Sequence, residues 1–199
     1  MKFIGINASP RKKANTQTLV EAVLEGAAEK GAETRLVNLR EININGCLGC
    51  EGCKKHLGKC AQKDDLTTIM QEMTDYDVVV MGTPVYWFHV AGQFKLLVDR
   101  LYSFLEFKAN PETGQTEINS AFPKNRKLLF IISRGDPEPP EFYPELYNHM
   151  NDWFKLIPLS LGTESYELFH QYGANLDRKS AANDSELLTK ARAKGAELV

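Results

Sequence analysis

Two hydrophobic patterns alternate along this chain. Short, nearly continuous apolar runs predict strands buried on both faces, at residues 2–8, 34–39, 78–81, 128–132 and within 159–169. Between them, apolar residues recur at helical spacing and predict helices over residues 15–30, from 64 or 65 to about 73, 90–106, 146–157, and from 183 or 184 toward 199. Alternating strands and helices predict an α/β fold: a doubly wound, five-stranded parallel sheet in the order 2-1-3-4-5.

Two stretches lack both patterns. Residues from about 44 to 63 are irregular and hold all four cysteines of the chain. Residues from about 107 to 126 contain proline, glycine and asparagine with little periodicity, which is typical of an excursion with a short hairpin. We interpret both as insertions in one domain that spans residues 1–199.

The predicted sheet indicates where a ligand would bind. In doubly wound sheets, ligands lie beyond the carboxyl ends of the strands, at the switch between the first and third strands. This rule brings together three loops, at residues 8–18, 83–89 and 133–137.

The first of these loops has the chemistry of an anion site. It leads from a strand into the N-terminus of a helix, where unpaired N–H groups and the helix dipole favour negative charge. It supplies hydroxyl, amide and guanidinium donors from Ser9, Arg11, Asn15, Thr16, Gln17 and Thr18. The chain has neither G-x-x-x-x-G-K-[ST] nor G-x-G-x-x-G. We favour a phosphate site over an ordinary capped helix with one surface arginine.

The second loop is aromatic. Tyr86, Trp87 and Phe88 are consecutive, so a helix or strand cannot bury all three on one face. Together with Pro84 and Val85 they can form the wall that a flat ring requires, or they can be core or subunit-interface residues. The third loop, Ser133-Arg134-Gly135, is expected to close the other side of such a ligand.

The cysteines follow the spacing C-x2-C-x2-C-x6-C, with Cys47, Cys50, Cys53 and Cys60. Glycines between them let the backbone wrap tightly, which suits a [4Fe-4S] cluster held by four thiolates. Structural zinc also accepts four thiolates, but usually from two separated C-x2-C pairs. Reduced or redox-active thiols without a metal remain a third interpretation.

Two further motifs carry a family resemblance. Ser-Pro-Arg followed by Asn-Thr, and Thr-Pro-Val-Tyr-Trp followed by Gly92-Gln93-Phe94-Lys95, resemble the NADPH-dependent FMN reductase-like flavoproteins of the flavodoxin-like superfamily. The compact cysteine spacing is similar to that of their iron-sulfur flavoprotein branch.

The resemblance implies noncovalent FMN, with its phosphate in the first loop and its ring along residues 84–88. It implies a cluster that exchanges electrons with FMN, NAD(P)H as a candidate donor, a small-molecule or protein partner in electron transfer, and a homodimer or homotetramer. Because the flavin carries out the chemistry, no side chain is predicted to be catalytic.

Composition agrees with this interpretation. The chain has 199 residues, 43% of them hydrophobic, and a net charge of −2, so no basic field indicates nucleic acid or a membrane surface as partner. We expect a cytoplasmic protein with no signal peptide.

The predicted function is that of an FMN-dependent oxidoreductase. The alternatives are a cluster-free NAD(P)H-dependent FMN or quinone-type reductase, a flavodoxin-like electron carrier, and a zinc-holding interaction protein.

Overall fold

A computed structural model describes residues 1–138, 144–163, 165–174 and 177–199. Its main sheet has five parallel strands in the order β2-β1-β3-β7-β8. The strands of the chain are β1 (Lys2–Asn7), β2 (Glu33–Asn38), β3 (Val78–Tyr86), β4 (His89–Val90), β5 (Leu105–Ala109), β6 (Thr116–Ser120), β7 (Lys127–Ser133) and β8 (Ser165–Gln171). Since β7 and β8 are the fourth and fifth parallel strands, the predicted flavodoxin-like order is confirmed.

Helices cover both faces of this sheet, which explains why the central strands are apolar on both sides. They are α1 (Asn15–Glu29), α2 (Asp65–Glu72), α3 (Gly92–Arg100), α4 (Pro144–Leu161), α5 (Ser180–Asn183) and α6 (Ser185–Glu197). Residues of α2, α3 and α4 pack in one apolar core, and residues of α1 and α6 pack in a second core. Asp64 begins α2 as predicted, because its side chain accepts a hydrogen bond from the Thr67 amide.

The third strand is longer than predicted. The apolar run predicts a strand over residues 78–81 that ends at Gly82-Thr83-Pro84, but β3 continues to Tyr86 and pairs with β4 as a small hairpin. Its register with β7 also extends as far as Pro84, which lies opposite Ser133. Pairing on both sides therefore holds the strand extended beyond its apolar run.

Two other boundaries and the burial of one residue differ from the prediction. The helix expected over residues 90–106 ends at Arg100, and a 3-10 turn leads into the β5–β6 hairpin within the predicted excursion. Leu146, the first residue of the apolar pattern that predicts the helix over residues 146–157, is 40% exposed, and its neighbour Tyr147 is buried instead. The fifth parallel strand begins only at Ser165, because α4 continues to Leu161.

Two glycines let α1 and α6 touch through their backbones. A Cβ atom at Gly26 would lie 1.9 Å from the Arg192 carbonyl oxygen, and one at Gly195 would lie 1.9 Å from the Val23 carbonyl oxygen. No side chain fits at either position, so the two helices are fixed at this close approach.

The hairpin turn between β3 and β4 uses two aromatic residues where glycine or asparagine is usual. Trp87 and Phe88 have φ values of 49° and 62°, and a two-residue turn with positive φ at both positions matches the twist of a hairpin. Bulky residues are strained in this conformation.

We expect Trp87→Asn to raise the free energy of unfolding by about 0.5–1 kcal/mol, because asparagine tolerates positive φ. Trp87 is 93% exposed, so little packing is lost. Urea unfolding followed by circular dichroism measures the change. Trp87→Val is the control and should lower stability, since a β-branched residue is worse at positive φ; a stability loss in the asparagine variant would contradict the prediction.

Candidate functional site

One pocket of about 220 Å³ lies where the loops after β1, β3 and β7 meet. Ten of the predicted site residues line it: Ser9, Arg11, Asn15, Thr16, Pro84, Val85, Tyr86, Ser133, Arg134 and Gly135. Four others do not line it: Gln17, Thr18, Trp87 and Phe88. The sequence did not single out Ala14, Ala174 or Arg178, which also line it. Arg178 comes from the segment before α5, whose closeness to α1 has no local sequence signal.

The N-terminus of α1 presents free donors to this pocket. Ala14 is the N-cap and has no side-chain oxygen, so it satisfies none of the first amides of the helix. Within the described chain, the backbone N–H groups of Thr16 and Gln17 donate to no protein acceptor. Ser9 lies beside them, and its Oγ accepts a hydrogen bond of 3.2 Å from the Arg11 amide. Such a helix end is suited to an anion.

Asn15 fixes this helix end to the C-terminal part of the chain. Its Nδ2 donates to the Asp177 carbonyl at 2.9 Å, and its Oδ1 accepts from the Ala181 amide at 3.0 Å. Its backbone N–H donates to the Arg178 carbonyl at 3.1 Å. The side chain of Asn15 therefore holds the segment that carries Arg178 against the pocket.

Gln17 has a similar local task. Its Oε1 accepts from the Lys13 amide at 2.9 Å, and its Nε2 donates to Glu21 at 2.7 Å. Lys13 has a φ of 49°, which is unusual for a residue other than glycine. The bond from its amide to Gln17 helps to hold the loop in this conformation. Thr18 is half-buried one turn into α1.

Arg134 is a buried cation that lacks a carboxylate partner in the described residues. It is 4% exposed, and its guanidinium carbon lies 4.3 Å from the Tyr147 ring centre and 4.2 Å from that of Tyr172. Its Nε and Nη1 have no hydrogen-bond partner. Cation–π contacts offset part of the cost of burial, but the unpaired donors leave the site suited to a ligand with negative charge.

Two titratable groups near Arg134 have shifted pKa values. Burial and then the charge of Arg134 lower the pKa of His170 to about 4, so this histidine is neutral near pH 7. Burial and then a hydrogen bond to Asp136 raise the pKa of Tyr147 to about 12. Tyr147 thus stays a neutral phenol, and its ring face remains available to Arg134.

Of the three consecutive aromatic residues, Tyr86 lines the pocket, whereas Trp87 and Phe88 do not. The ring centre of Tyr86 lies 5.9 Å from the guanidinium carbon of Arg11. Trp87 projects from the turn, and its ring centre lies 6.1 Å from that of Phe88. The His89 ring packs edge-on against Trp153, 5.0 Å between centres, so its contacts are those of a packing residue.

The cysteine loop is anchored by a buried ion pair. Asp64 and Arg100 are joined at 2.6 Å and 2.9 Å, and their side chains are 1% and 0% exposed. Asp64 also accepts from the Asn45 amide, and Arg100 donates to the Asn45 carbonyl, so the pair holds the start of the loop. Burial alone would raise the pKa of Asp64, but hydrogen bonds from Arg100, Asn45 and Thr67 keep it well below its usual range.

All four cysteines are free thiols. Cys47 and Cys50 are exposed, Cys60 is half-buried and Cys53 is buried. Burial raises the pKa of Cys53, the charge of Lys54 and a backbone hydrogen bond lower it, and the Cys60 and Cys47 thiols add smaller increases. Within the described ranges, no three His, Cys, Asp or Glu side chains are gathered closely enough to hold a metal ion.

The pocket of about 220 Å³ is named the arginine-lined pocket, because Arg11, Arg134 and Arg178 line it. It lies at the carboxyl ends of the strands of a flavodoxin-like sheet, and its donors are suited to an anion. Residues 1–113 match the NADPH-dependent FMN reductase family, and the chain belongs to that family. The pocket wall formed by residues 133–135, 174 and 178 lies beyond the matched range.

The chain is also similar to curated proteins over about half of its length. The chain is 43% identical to an iron-sulfur flavoprotein of Methanocaldococcus jannaschii over 100 residues, which are 50% of this chain and 51% of the relative. It is 40% identical to an iron-sulfur flavoprotein of Archaeoglobus fulgidus over 100 residues, which are 50% of this chain and 48% of the relative. The chain therefore spans about half the length of these relatives.

Solved structures share the fold. An NAD(P)H:quinone oxidoreductase from Methanothermobacter marburgensis has a TM-score of 0.76 at 17% identity, covering 100% of this chain and 96% of that chain. An FMN-dependent NADH-azoreductase from Bacillus anthracis has a TM-score of 0.72 at 15% identity, covering 100% and 99%. In the described residues, no helix is both long and apolar enough to cross a membrane.

Proposed function

We propose that this protein is an FMN-dependent oxidoreductase whose flavin occupies the arginine-lined pocket. The observation that carries the proposal is the meeting of three loops around donors that lack protein partners. The free amides of Thr16 and Gln17, with Ser9 and Arg11, are the groups that would hold the phosphate. Asn15 and Gln17 support them through the hydrogen bonds that shape the loop.

The remaining walls suit the flavin ring. Pro84, Val85 and Tyr86 offer an apolar and aromatic surface on one side, and the turn from Ser133 to Gly135 forms another side. FMN supplies the redox chemistry when bound, since it accepts a hydride and releases electrons singly. The chain would bind and orient it, and the buried guanidinium of Arg134, whose Nε and Nη1 lack partners, would donate to a polar edge of the ligand.

We further propose that the cysteine loop holds a [4Fe-4S] cluster, as the names of the relatives suggest. The donor set is chemically suitable because four thiols lie within fourteen residues. Positive φ values at Gly49, Glu51 and Gly58 wind the backbone tightly. Burial lowers the pKa of Arg100, but the hydrogen bond to Asp64 and then the charge of Cys60 raise it, so the guanidinium would offset the negative charge of a thiolate ligand at Cys60.

The electron donor proposed from the family is NAD(P)H, and the partner in electron transfer is a small molecule or a protein. A cluster-free NAD(P)H-dependent FMN or quinone-type reductase is the second candidate, because the thiols are not gathered into a metal-binding group in the described chain. A flavodoxin-like electron carrier differs from both by showing no turnover with NAD(P)H.

A homodimer or homotetramer is proposed as the working assembly. Phe107 and Ile118 on the β5–β6 hairpin are 45% and 52% exposed, which provides apolar surface for a second copy. Sedimentation velocity measures the assembly, and a single species with the mass of one chain would contradict it.

Purification without oxygen, followed by visible spectroscopy and assays of iron, sulfide and zinc, tests the whole proposal. Flavin bands with a broad iron-sulfur shoulder and about four irons per chain support the cluster and the flavin together. Flavin bands alone support the cluster-free reductase. A colourless protein that does not take up added FMN would overturn the central proposal.

We expect Cys60→Ser to reduce iron from about four atoms per chain to near zero, because a hydroxyl is a poor replacement for a thiolate ligand. Flavin content should stay near one per chain, since Cys60 does not line the arginine-lined pocket. His56→Ser is the matched control: His56 is an exposed residue of the same loop, and iron should be retained. Equal iron in Cys60→Ser and wild type would exclude Cys60 as a ligand.

A further inference from the structure

A second pocket, of about 480 Å³, lies between the segment that follows β2 and the first turn of α3. It shares no lining residue with the arginine-lined pocket. Ile42, Ile44 and Leu96 contribute apolar side chains to its wall. Arg40 and Gln93 contribute polar ones. Its volume is within the range of small-molecule sites, and a few polar groups on an apolar wall are typical of them.

Arg40 brings an incompletely paired guanidinium to this second pocket. Its side chain is 10% exposed. Its Nη1 donates to Asn38 Oδ1 at 3.1 Å, and its Nη2 donates to Glu41 at 2.7 Å. These two bonds hold the planar group in one orientation, but its Nε is buried without a hydrogen-bond partner. A buried donor without an acceptor is costly, so an oxygen atom of a ligand would stabilise this arginine.

The N-terminus of α3 supplies donors from a second element. Ala91 is the N-cap and makes no side-chain cap hydrogen bond. Within the described ranges, the backbone N–H groups of Gly92 and Gln93 donate to no protein acceptor, and both residues line the second pocket. A Cβ atom at Gly92 would meet nothing within 4 Å, so the space beside this helix end is open. Free amides and the positive end of the helix dipole favour an oxyanion.

The charges at the second pocket suit a ligand with one negative charge. Among the described residues, Arg40 is the only charged residue that lines it, and no carboxylate does so. Glu41 already balances part of the charge of this guanidinium. The helix end adds the equivalent of about half a positive charge. A doubly charged phosphate would therefore be less well balanced here than a carboxylate.

The apolar part of the wall favours a ligand with a hydrocarbon body. Ile42 and Ile44 are only partly buried against the main core, and Leu96 lies one turn along α3 from the free amides. A small inorganic ion would leave these side chains facing water. An apolar body attached to the oxyanion would cover them and gain free energy from the buried area.

The second pocket is a neighbour of the arginine-lined pocket but has its own wall. The Ala91 N–H donates to the Pro84 carbonyl at 3.2 Å, and Pro84 lines the arginine-lined pocket. Gly92 and Gln93, which follow Ala91, line only the second pocket of these two. A ligand in the second pocket would therefore bind beside the flavin site without occupying it.

We propose that the second pocket binds a small carboxylic acid, in its carboxylate form, that carries an apolar body. The carboxylate would accept hydrogen bonds from Arg40 and from the first amides of α3. The apolar body would cover Ile42, Ile44 and Leu96. This binding site goes beyond the proposed oxidoreductase function and does not depend on it.

The test is isothermal titration calorimetry of 4-phenylbutyrate into the full-length protein, in a buffer without phosphate or other carboxylates. Titrations are run with and without added FMN, because FMN would displace a carboxylate that was held by the arginine-lined pocket. 4-Phenylbutyramide keeps the apolar body without the charge, and acetate keeps the charge without the body. Each should bind at least tenfold more weakly than 4-phenylbutyrate, and inorganic phosphate should also bind more weakly.

Arg40→Met should weaken 4-phenylbutyrate binding at least tenfold, because it removes the guanidinium and keeps a side chain of similar length. Arg35→Met is the matched control and should bind as the wild type does. Arg35 lies on β2, its side chain is 43% exposed and paired with Glu72, and it does not line the second pocket.

Gln93→Glu tests the site with a change that should favour folding. A carboxylate in the first turn of α3 stabilises the helix, so the urea midpoint should be equal to that of the wild type or higher. The same carboxylate repels the ligand, so the affinity for 4-phenylbutyrate should fall at least fivefold. Opposite effects on stability and on binding separate loss of the site from loss of the fold.

Four results would each overturn the proposal. The first is no binding of 4-phenylbutyrate, and the second is displacement of it by FMN. The third is equal affinity in the wild type, Arg40→Met and Gln93→Glu. The fourth is a preference for the amide or for phosphate over the carboxylate. None of these results bears on FMN binding, which flavin fluorescence measures separately, because neither Arg40 nor Gln93 lines the arginine-lined pocket.

Discussion

Arg134→Met is expected to weaken FMN binding about 10- to 100-fold and at the same time to leave the apoprotein as stable as the wild type or more stable. Arg134 is 4% exposed, and its Nε and Nη1 have no partner. A hydrogen bond from a charged group contributes about 1.5–3 kcal/mol, which sets the expected loss of affinity. Replacing a buried charge by an apolar side chain of similar length is often stabilising, by about 1–4 kcal/mol even where the charge was paired.

Flavin fluorescence titration and urea unfolding of the apoprotein measure these two effects. Arg134→Lys is the control: it keeps the charge but not the planar donor fork, so FMN affinity should lie between wild type and methionine. Unchanged affinity in Arg134→Met would show that the guanidinium does not face the ligand. A large loss of apoprotein stability would show that Arg134 acts mainly as a packing residue between Tyr147 and Tyr172.

Arg100→Met is expected to lower the free energy of unfolding by about 3–5 kcal/mol, because it leaves the Asp64 carboxylate buried without its cation. The Asp64 side chain is 1% exposed and accepts both guanidinium bonds. The double variant Asp64→Leu/Arg100→Met should lose less than the single variant, since no charge is left buried. Urea unfolding at pH 7 measures the free energy of unfolding of the wild type, of Arg100→Met and of the double variant.

The stability that the Asp64–Arg100 pair contributes depends on pH, and the sign follows from the pKa of Asp64. The folded-state pKa of Asp64 is depressed, so its contribution to stability is fully present above the unfolded pKa of about 4. The contribution is lost as pH falls below that value and through the folded pKa. Wild type should therefore lose stability below pH 4 more steeply than the double variant. Identical slopes would contradict the role given to Asp64.

The β-α-β alternation could be predicted because it depends on local periodicity. The buried runs at residues 78–81 and 128–132 and the Asp64 cap each carry their signal within a few residues. The predicted convergence of three loops followed from the strand order alone, and ten of the fourteen residues proposed for the cofactor line one pocket.

Features that depend on distant partners could not be read from the sequence. Arg178 reaches the pocket because Asn15 binds the segment from Asp177 to Ala181, more than 160 positions away. Asp99 and Arg100 are adjacent in the sequence, but they do not pair with each other. Asp99 pairs with Lys95, and Arg100 pairs with Asp64. The choice of Tyr147 over Leu146 as the buried residue depends on Asp136 and Arg134, which belong to another loop.

The close approach of α1 and α6 at Gly26 and Gly195 has a consequence for biosynthesis. The helix that begins at the arginine-lined pocket is held along its length by α6 and at its first residue by the segment before α5. On the ribosome, α1 therefore lacks the packing contacts that hold it in place until residues 177–195 have been translated. We expect cofactor capture to follow synthesis of residues 177–195, although the loop with the free amides is made more than 160 positions earlier.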